Sequence, residues 1–226
     1  MTITAFPPLE YADADGFLAM GGDLEVESLL LAYRSGIFPW PCDEEHLLWF
    51  SPPRRAILLL RNFHASRSLR KERKRLPLEF FIDRNIPAVI QSCSEIVNRG
   101  TQQGTWITPG IQKAYLNLAQ AGYCHSFEAY LEGQLVGGLY GVSIGRMFAG
   151  ESMFFRVANA SKLVFWFMVE TLQSWKVEWI DCQMITPVVQ SFGAELVRRE
   201  QFLKLLHQAL AQPSIFQQNC RCTTSG

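Results

Sequence analysis

Three closely spaced strand patterns constrain the fold of this chain most strongly. The segments Ser126–Leu131, Gln134–Val142 and Arg146–Ala149 have the composition of strands, and only the pairs Glu132-Gly133 and Ile144-Gly145 mark the turns between them. Connections this short join antiparallel neighbours, because parallel strands need a crossover of a dozen or more residues. We therefore expect an antiparallel meander at the centre of the fold.

Helix and strand patterns flank this meander on both sides, with cap residues at several helix starts. Before it we predict a helix over 23–34, an extended segment over 38–40, strands over 47–50, 56–60 and 78–83, and helices starting at Ser66, Asn85 and Thr108. After it we predict a helix over 162–174 capped by Asn159, a strand over 177–182, and helices over 187–192 and 200–211. The sequence pattern changes near residues 60–65. We therefore interpret residues 1–62 as a small N-terminal α/β domain and residues 63–226 as a catalytic domain.

The order of elements after residue 62 resembles the N-acetyltransferase-like (GNAT-type) acyltransferase fold, which places the chain in the α/β (α+β) class. Members of that superfamily hold the pyrophosphate of coenzyme A with backbone N–H groups of a Gly-rich loop before the long helix. The corresponding stretch here, residues 150–159, lacks the glycines of that loop. We therefore expect no coenzyme A donor, and no cofactor or metal.

Composition and targeting patterns predict a cytosolic protein. The longest fully apolar run, Leu163–Val169, is far shorter than the roughly 20 residues that span a bilayer, so we expect no membrane association. The first twenty residues contain neither Lys nor Arg, which a secretory signal requires. Six cysteines without a Cys-x-x-Cys pair are predicted to be reduced thiols, mostly in the core; they are Cys42, Cys93, Cys124, Cys182, Cys220 and Cys222.

Charge is unevenly distributed although the net charge is zero. Residues 1–53 carry nine acids and one base, whereas residues 54–75 carry nine bases and only Glu72 as an acid. The basic stretch has two interpretations: a solvated helix face, or a phosphate-contacting surface that includes Arg67, Lys71 and Lys74. Charge alone does not separate them.

Several short motifs carry a resemblance to a known family. They occur in family order over nearly the whole chain, and the most specific are GIFPW (36–40), GTWIT (104–108), GESMF (150–154) and IDCQ (180–183). The chain resembles the leucyl/phenylalanyl-tRNA–protein transferases. The resemblance implies a bacterial cytoplasmic enzyme, expected here as a monomer. Such an enzyme moves Leu or Phe, and less well Met, from aminoacyl-tRNA to the N-terminal Arg or Lys of proteins and so marks them for degradation.

Two other functions stay open at this stage. One is a different GNAT-fold acyltransferase, which would use coenzyme A or build peptidoglycan cross-bridges. The other is a non-catalytic RNA-binding module that uses the basic stretch.

Three polar residues are the candidates for the reaction centre. Asp181 and Gln183 lie two apart on a predicted strand and so share a face. With the resemblance, Gln183 is expected to hold the attacking amine, while Asp181 orients it or accepts its proton; without it, Asp181 would cap the helix near Pro187. Glu151 is expected either to meet the cationic acceptor or to form an ion pair with Lys162 or Arg156.

Aromatic and apolar residues complete the expected site. Trp40 and Trp106 occur in loop-like contexts, and we expect them to stack on the terminal adenosine of the donor. The resemblance favours a donor side-chain pocket over an ordinary core for Leu139, Phe148, Met153, Phe165, Met168 and Ile180. His64 and His125 have no partners at metal-ligand spacing and are expected in structural or surface roles.

Overall fold

The computed structural model of the chain describes residues 2–41, 43, 45–96, 98–99, 102–103 and 105–219. Its α-helices are α1 (Val26–Arg34), α2 (Arg67–Arg75), α3 (Ile86–Ser94), α4 (Pro109–Gln120), α5 (Ala160–Ser174), α6 (Pro187–Ser191), α7 (Arg199–Leu210) and α8 (Ile215–Asn219). Its strands are β1 (Phe17–Met20), β2 (Phe38–Pro39), β3 (Leu48–Phe50), β4 (Arg54–Leu59), β5 (Glu79–Ile82), β6 (Asn98–Arg99), β7 (Gln102–Gln103), β8 (Cys124–Leu131), β9 (Gln134–Ile144), β10 (Met147–Phe155), β11 (Trp179–Gln183) and β12 (Glu195–Arg198). Within this part of the chain, no helix combines the length and apolarity needed to cross a membrane.

A seven-stranded sheet in the order β12-β4-β11-β10-β9-β8-β5 forms the centre of this mixed α/β protein. The predicted meander is confirmed as β8, β9 and β10, which pair antiparallel. Glu132 and Gly133 both have positive φ, as a two-residue hairpin turn with right-handed strand twist requires. The third strand continues six residues beyond Ala149 to Phe155, because the polar Glu151 and Ser152 interrupt the apolar pattern without ending the pairing.

The N-terminal part contributes a smaller sheet, β1-β3-β2. Strand β4, which the sequence assigned to the N-terminal domain ending at residue 62, instead pairs with β11 and β12 of the large sheet. The limit between the two sheets therefore lies before Arg54. The division of the chain into two folding domains stays a prediction.

Local capping is largely as expected. The side chains of Ser66, Asn85 and Thr108 accept hydrogen bonds from the backbone N–H groups of Leu69, Ala88 and Ile111. Asn159 is an exception: it precedes α5 with a φ of 67° but makes no side-chain cap. Among the described cysteines, Cys93 and Cys124 are buried thiols and Cys182 is a half-buried one; Cys42, Cys220 and Cys222 lie outside the described residues.

The parallel contact between β10 and β11 is the feature that creates the site. These strands share one register pair, Ala149 with Asp181. Just beyond this pair both strands are bulged. On β10, Glu151 is the extra residue between the paired Gly150 and Ser152. On β11, Cys182 is the extra residue between the paired Asp181 and Gln183. A bulge bends a strand and redirects its side chains. The gap that opens here lies between two hydrophobic clusters, one packed under α1 and α4 and the other under α5.

Candidate active site

A cavity of about 170 Å³ occupies the gap between β10 and β11. Five of the six residues predicted to form a donor side-chain pocket line it, namely Leu139, Met153, Phe165, Met168 and Ile180. The sequence did not indicate the other lining residues, which come from β9, from the two bulges and from the segment after β11: Tyr140, Gly150, Ser152, Cys182, Met184, Thr186 and Val189. The wall is therefore largely apolar, with Glu151 and Asp181 at one side.

Phe148 does not line this cavity. It is fully buried near the start of β10, where its ring lies 5.8 Å from that of Phe127 and 6.2 Å from that of Phe216 on α8. Helix α8 lies in a part of the sequence without a clear pattern, so the sequence did not predict that α8 packs over Phe148.

Glu151 is the centre of a hydrogen-bonded group that we call the Glu151 cluster: Glu151, Tyr33, Tyr115 and Gln183. The Tyr33 hydroxyl and the Gln183 Nε2 donate to Glu151 Oε1 at 2.7 and 2.8 Å, and the Tyr115 hydroxyl donates to Oε2 at 3.0 Å. The two hydroxyls also lie 2.5 Å apart. The sequence did not indicate either tyrosine, although Tyr33 lies three residues before the GIFPW motif.

Burial raises the pKa of Glu151 to about 7, while the bonds from Tyr33, Gln183 and Tyr115 act in the opposite direction. The alternative of an ion pair is not observed, because the Arg156 guanidinium lies 3.7 Å from Glu95 instead. Among the described residues, neither Arg156 nor Lys162 forms an ion pair with Glu151.

Asp181 is held by a buried arginine. Arg55 Nε and Nη2 donate to Asp181 Oδ1 and Oδ2 at 2.9 and 2.7 Å, and both side chains are 2% exposed. The guanidinium also lies over the rings of Phe38 and Phe202. Arg55 therefore occupies both oxygens of the Asp181 carboxylate. Asp181 does not cap α6, because the Thr186 side chain accepts the hydrogen bond from the Val189 backbone N–H instead.

Gln183 depends on Asp181 for its position. Its backbone N–H donates to Asp181 Oδ1 at 2.8 Å, and its φ of 58° is unusual for a residue other than glycine. The bulge at Cys182 gives the two side chains different partners, Arg55 for Asp181 and Glu151 for Gln183. Because the amide nitrogen donates to Glu151, the amide oxygen is left as the acceptor for an incoming group.

The two tryptophans predicted to bind adenosine stack on each other. Their ring centroids are 5.6 Å apart at 24°. Trp106 is 5% exposed, while Trp40 is half-buried. Of the two rings, Trp40 is therefore the more exposed, and Trp106 packs against it.

The basic stretch divides into partnered and exposed residues. Arg55 is buried, and Arg73 makes two bonds of 2.6 Å to Glu170. The sequence had suggested Glu72 as the sole carboxylate available to this stretch, but Glu170 is a second one. Arg67, Lys71 and Lys74 are exposed on α2 at helical spacing, and no ion pair to them is seen in the described part of the chain. We call these three residues the α2 basic face.

The two histidines have the expected roles. His64 is exposed, whereas His125 Nδ1 lies 2.6 Å from Asp83 and its ring stacks on Phe216.

Known proteins resemble the chain over most of its length. Two family models match it, "Leucyl/phenylalanyl-tRNA protein transferase" over residues 57–207 and the N-terminal domain of the same family over residues 22–53. A leucyl/phenylalanyl-tRNA–protein transferase from Desulfatibacillum aliphaticivorans is 49% identical, covering 93% of this chain and 90% of that protein. One from Chromobacterium violaceum is 48% identical, covering 92% and 89%.

Solved structures resemble the chain more weakly. A conserved protein of unknown function from Bacteroides thetaiotaomicron has a TM-score of 0.46 at 14% identity, covering 71% of this chain and 57% of that one. The L-PGS structure from Bacillus licheniformis has a TM-score of 0.42 at 13% identity, covering 72% and 51%.

Proposed function

The chain belongs to the leucyl/phenylalanyl-tRNA–protein transferase family and is an aminoacyltransferase, and we propose that it transfers Leu or Phe, and less well Met, from aminoacyl-tRNA to the N-terminal Arg or Lys of proteins. The transfer forms a peptide bond that marks the acceptor for degradation. The supporting observation is that Glu151, at the centre of the Glu151 cluster, lines a largely apolar cavity. We assign the large sheet to a GNAT-type acyltransferase fold, and propose that the protein acts as a monomer in the cytoplasm.

The donor ester is already activated, so the site must mainly hold the ester and the amine together; this positioning accounts for much of the catalysis. In our proposal the cavity residues hold the Leu or Phe side chain, and Met153 and Met168 adapt their shape to either. The Gln183 carbonyl holds the attacking amine, Asp181 orients Gln183, and Glu151 binds the cationic acceptor. No cofactor is required.

Trp40 is proposed as the platform for the terminal adenosine. We expect Trp40→Ala to weaken binding of a puromycin-like adenosine analogue by about 1 to 3 kcal/mol, because base stacking contributes that much. Titration calorimetry measures the affinity. Trp106→Ala should weaken binding less, because its ring lies behind that of Trp40. Unchanged analogue affinity in a folded Trp40→Ala protein would remove this ring from the site.

The α2 basic face is proposed to contact the tRNA backbone. We expect simultaneous replacement of Arg67, Lys71 and Lys74 by Ala to raise KM for leucyl-tRNA and to flatten its salt dependence, because fewer counterions are released. Steady-state transfer at several salt concentrations measures both quantities. A minimal aminoacyl-adenosine donor should react as before. Equal losses with both donors would assign these charges to the fold instead.

One experiment separates this function from its competitors. The protein is incubated with labelled leucyl-tRNA and a peptide that begins with Arg, in parallel with the same peptide acetylated at its N-terminus. We expect label only on the free peptide, with no effect of added coenzyme A. Transfer that requires acetyl-coenzyme A would favour another acyltransferase, and RNA binding without any turnover would favour a binding module.

A further inference from the structure

The acceptor positions of Glu151 are partly filled. An ionised carboxylate offers about four acceptor positions. Gln183 and the two tyrosines occupy two or three of them, because the Tyr33 and Tyr115 hydroxyls also bond each other at 2.5 Å and have two protons for three contacts. A guanidinium binds a carboxylate best through two parallel bonds, whereas an ammonium group needs one. At least one position is therefore left for the acceptor's α-ammonium group, which needs a single bond.

We propose that Glu151 is the proton acceptor for the α-ammonium group of the incoming protein, and that Tyr33 and Tyr115 are positioning residues that hold its carboxylate. This inference rests on the proposed aminoacyl transfer. It gives the base role to Glu151 rather than to Asp181, whose two oxygens are held by Arg55.

Gln183 places the amine within reach of this carboxylate. Its Nε2 donates to Glu151 Oε1 at 2.8 Å, so an amine held by its carbonyl oxygen lies one amide group away. Proton transfer over such a distance proceeds directly or through one water molecule.

The step balances without any further reactant. The α-ammonium gives one proton to Glu151, and the free amine attacks the ester carbonyl. The C–N bond forms as the C–O bond to the ribose breaks. The second N–H proton passes to the departing ribose oxygen, and Glu151 returns its proton to solvent.

The surroundings of Glu151 suit this role. An α-amino group has a pKa of about 7.7 to 8.0, and burial raises the pKa of Glu151 to about 7. The titratable and charged groups that face Glu151 are Tyr33 on α1, Tyr115 on α4, Cys124 on β8 and Asp181 on β11, the last paired with Arg55. Tyr140 on β9 and Cys182 on β11 line the same cavity. Because Glu151 must be ionised to act, kcat should rise with pH through about 7. The Tyr33 and Tyr115 bonds favour the carboxylate, so their loss should move this rise to higher pH.

The test is single-turnover transfer from leucyl-tRNA to an Arg-initiated peptide across about pH 6 to 9. We expect Tyr33→Phe and Tyr115→Phe each to raise the apparent pKa of the rate by about half a unit or more. Glu151→Gln should lower the rate at least about tenfold at neutral pH and remove the dependence near pH 7. Tyr130→Phe is the matched control, because that hydroxyl donates to Glu128 at 2.8 Å, outside the Glu151 cluster.

Several results would overturn the inference. An unchanged apparent pKa in both folded tyrosine variants would refute the positioning role. A Glu151→Gln protein with a raised peptide KM and an unchanged rate would show that Glu151 only binds the acceptor. If Glu151→Gln fails to fold, the pH profile of Tyr115→Phe decides the inference: a raised apparent pKa supports it and an unchanged one refutes it. Failure of the wild-type protein to transfer at any pH would instead reject the proposed function.

Discussion

Replacing Gln183 with alanine is expected to lower the single-turnover rate of leucyl transfer by about 10²-fold or more. The change removes the carbonyl oxygen that would hold the amine and the amide donor to Glu151. Because the loss falls on the reacting groups, KM for leucyl-tRNA should change little. Rapid-quench transfer to an Arg-initiated peptide measures the rate.

Two further variants make this result specific. Gln183→Asn keeps an amide and tolerates the φ of 58° better than alanine, but its shorter side chain withdraws the oxygen, so it should also be slow. Gln173→Ala should react normally, since this glutamine bonds the Leu60 carbonyl away from the cavity. If folded Gln183→Ala loses less than about tenfold, or 1.4 kcal/mol, proximity and the reactivity of the ester carry the reaction.

Arg55→Ala is expected to lower the free energy of unfolding by about 3 to 5 kcal/mol, because removing one partner leaves Asp181 charged and buried. The lost packing of the guanidinium on Phe38 and Phe202 adds to the cost. Urea unfolding followed by circular dichroism measures the change. The protein should also lose transfer activity, because Asp181 positions Gln183.

The chain contains a matched comparison for this pair. Arg73 makes the same two-bond contact with Glu170, but the side chains are 31% and 45% exposed. Arg73→Ala should therefore cost no more than about 1 kcal/mol. Replacing Arg55 with Met and Asp181 with Leu together should restore stability without restoring activity. Similar costs for Arg55→Ala and Arg73→Ala would mean that the buried charge of Asp181 is already compensated elsewhere.

Exposure explains why the basic stretch was only partly predictable. Its charges are alike in sequence, yet Arg55 is buried against Asp181 while Lys71 and Lys74 are exposed on α2. No local pattern marks this difference, since the partner of Arg55 lies 126 residues further along the chain. The pocket residues stay a prediction that rests on the family resemblance: five of the six line one cavity, while Phe148 packs near Phe216 of α8 instead.

The sequence by itself determined the elements whose signals are local. The side chains of Ser66 and Thr108 cap helices with bonds that span three residues, and the Glu132-Gly133 turn sets the β8–β9 hairpin. Only the tertiary structure decided the chemistry of Glu151. Its carboxylate is surrounded by Tyr33, Tyr115 and Gln183, which are 118, 36 and 32 residues away in sequence. A pKa depends on burial and on neighbours in space. The parallel contact between the bulged strands β10 and β11 brings Gln183 to Glu151, and the packing of α1 and α4 brings the two tyrosines.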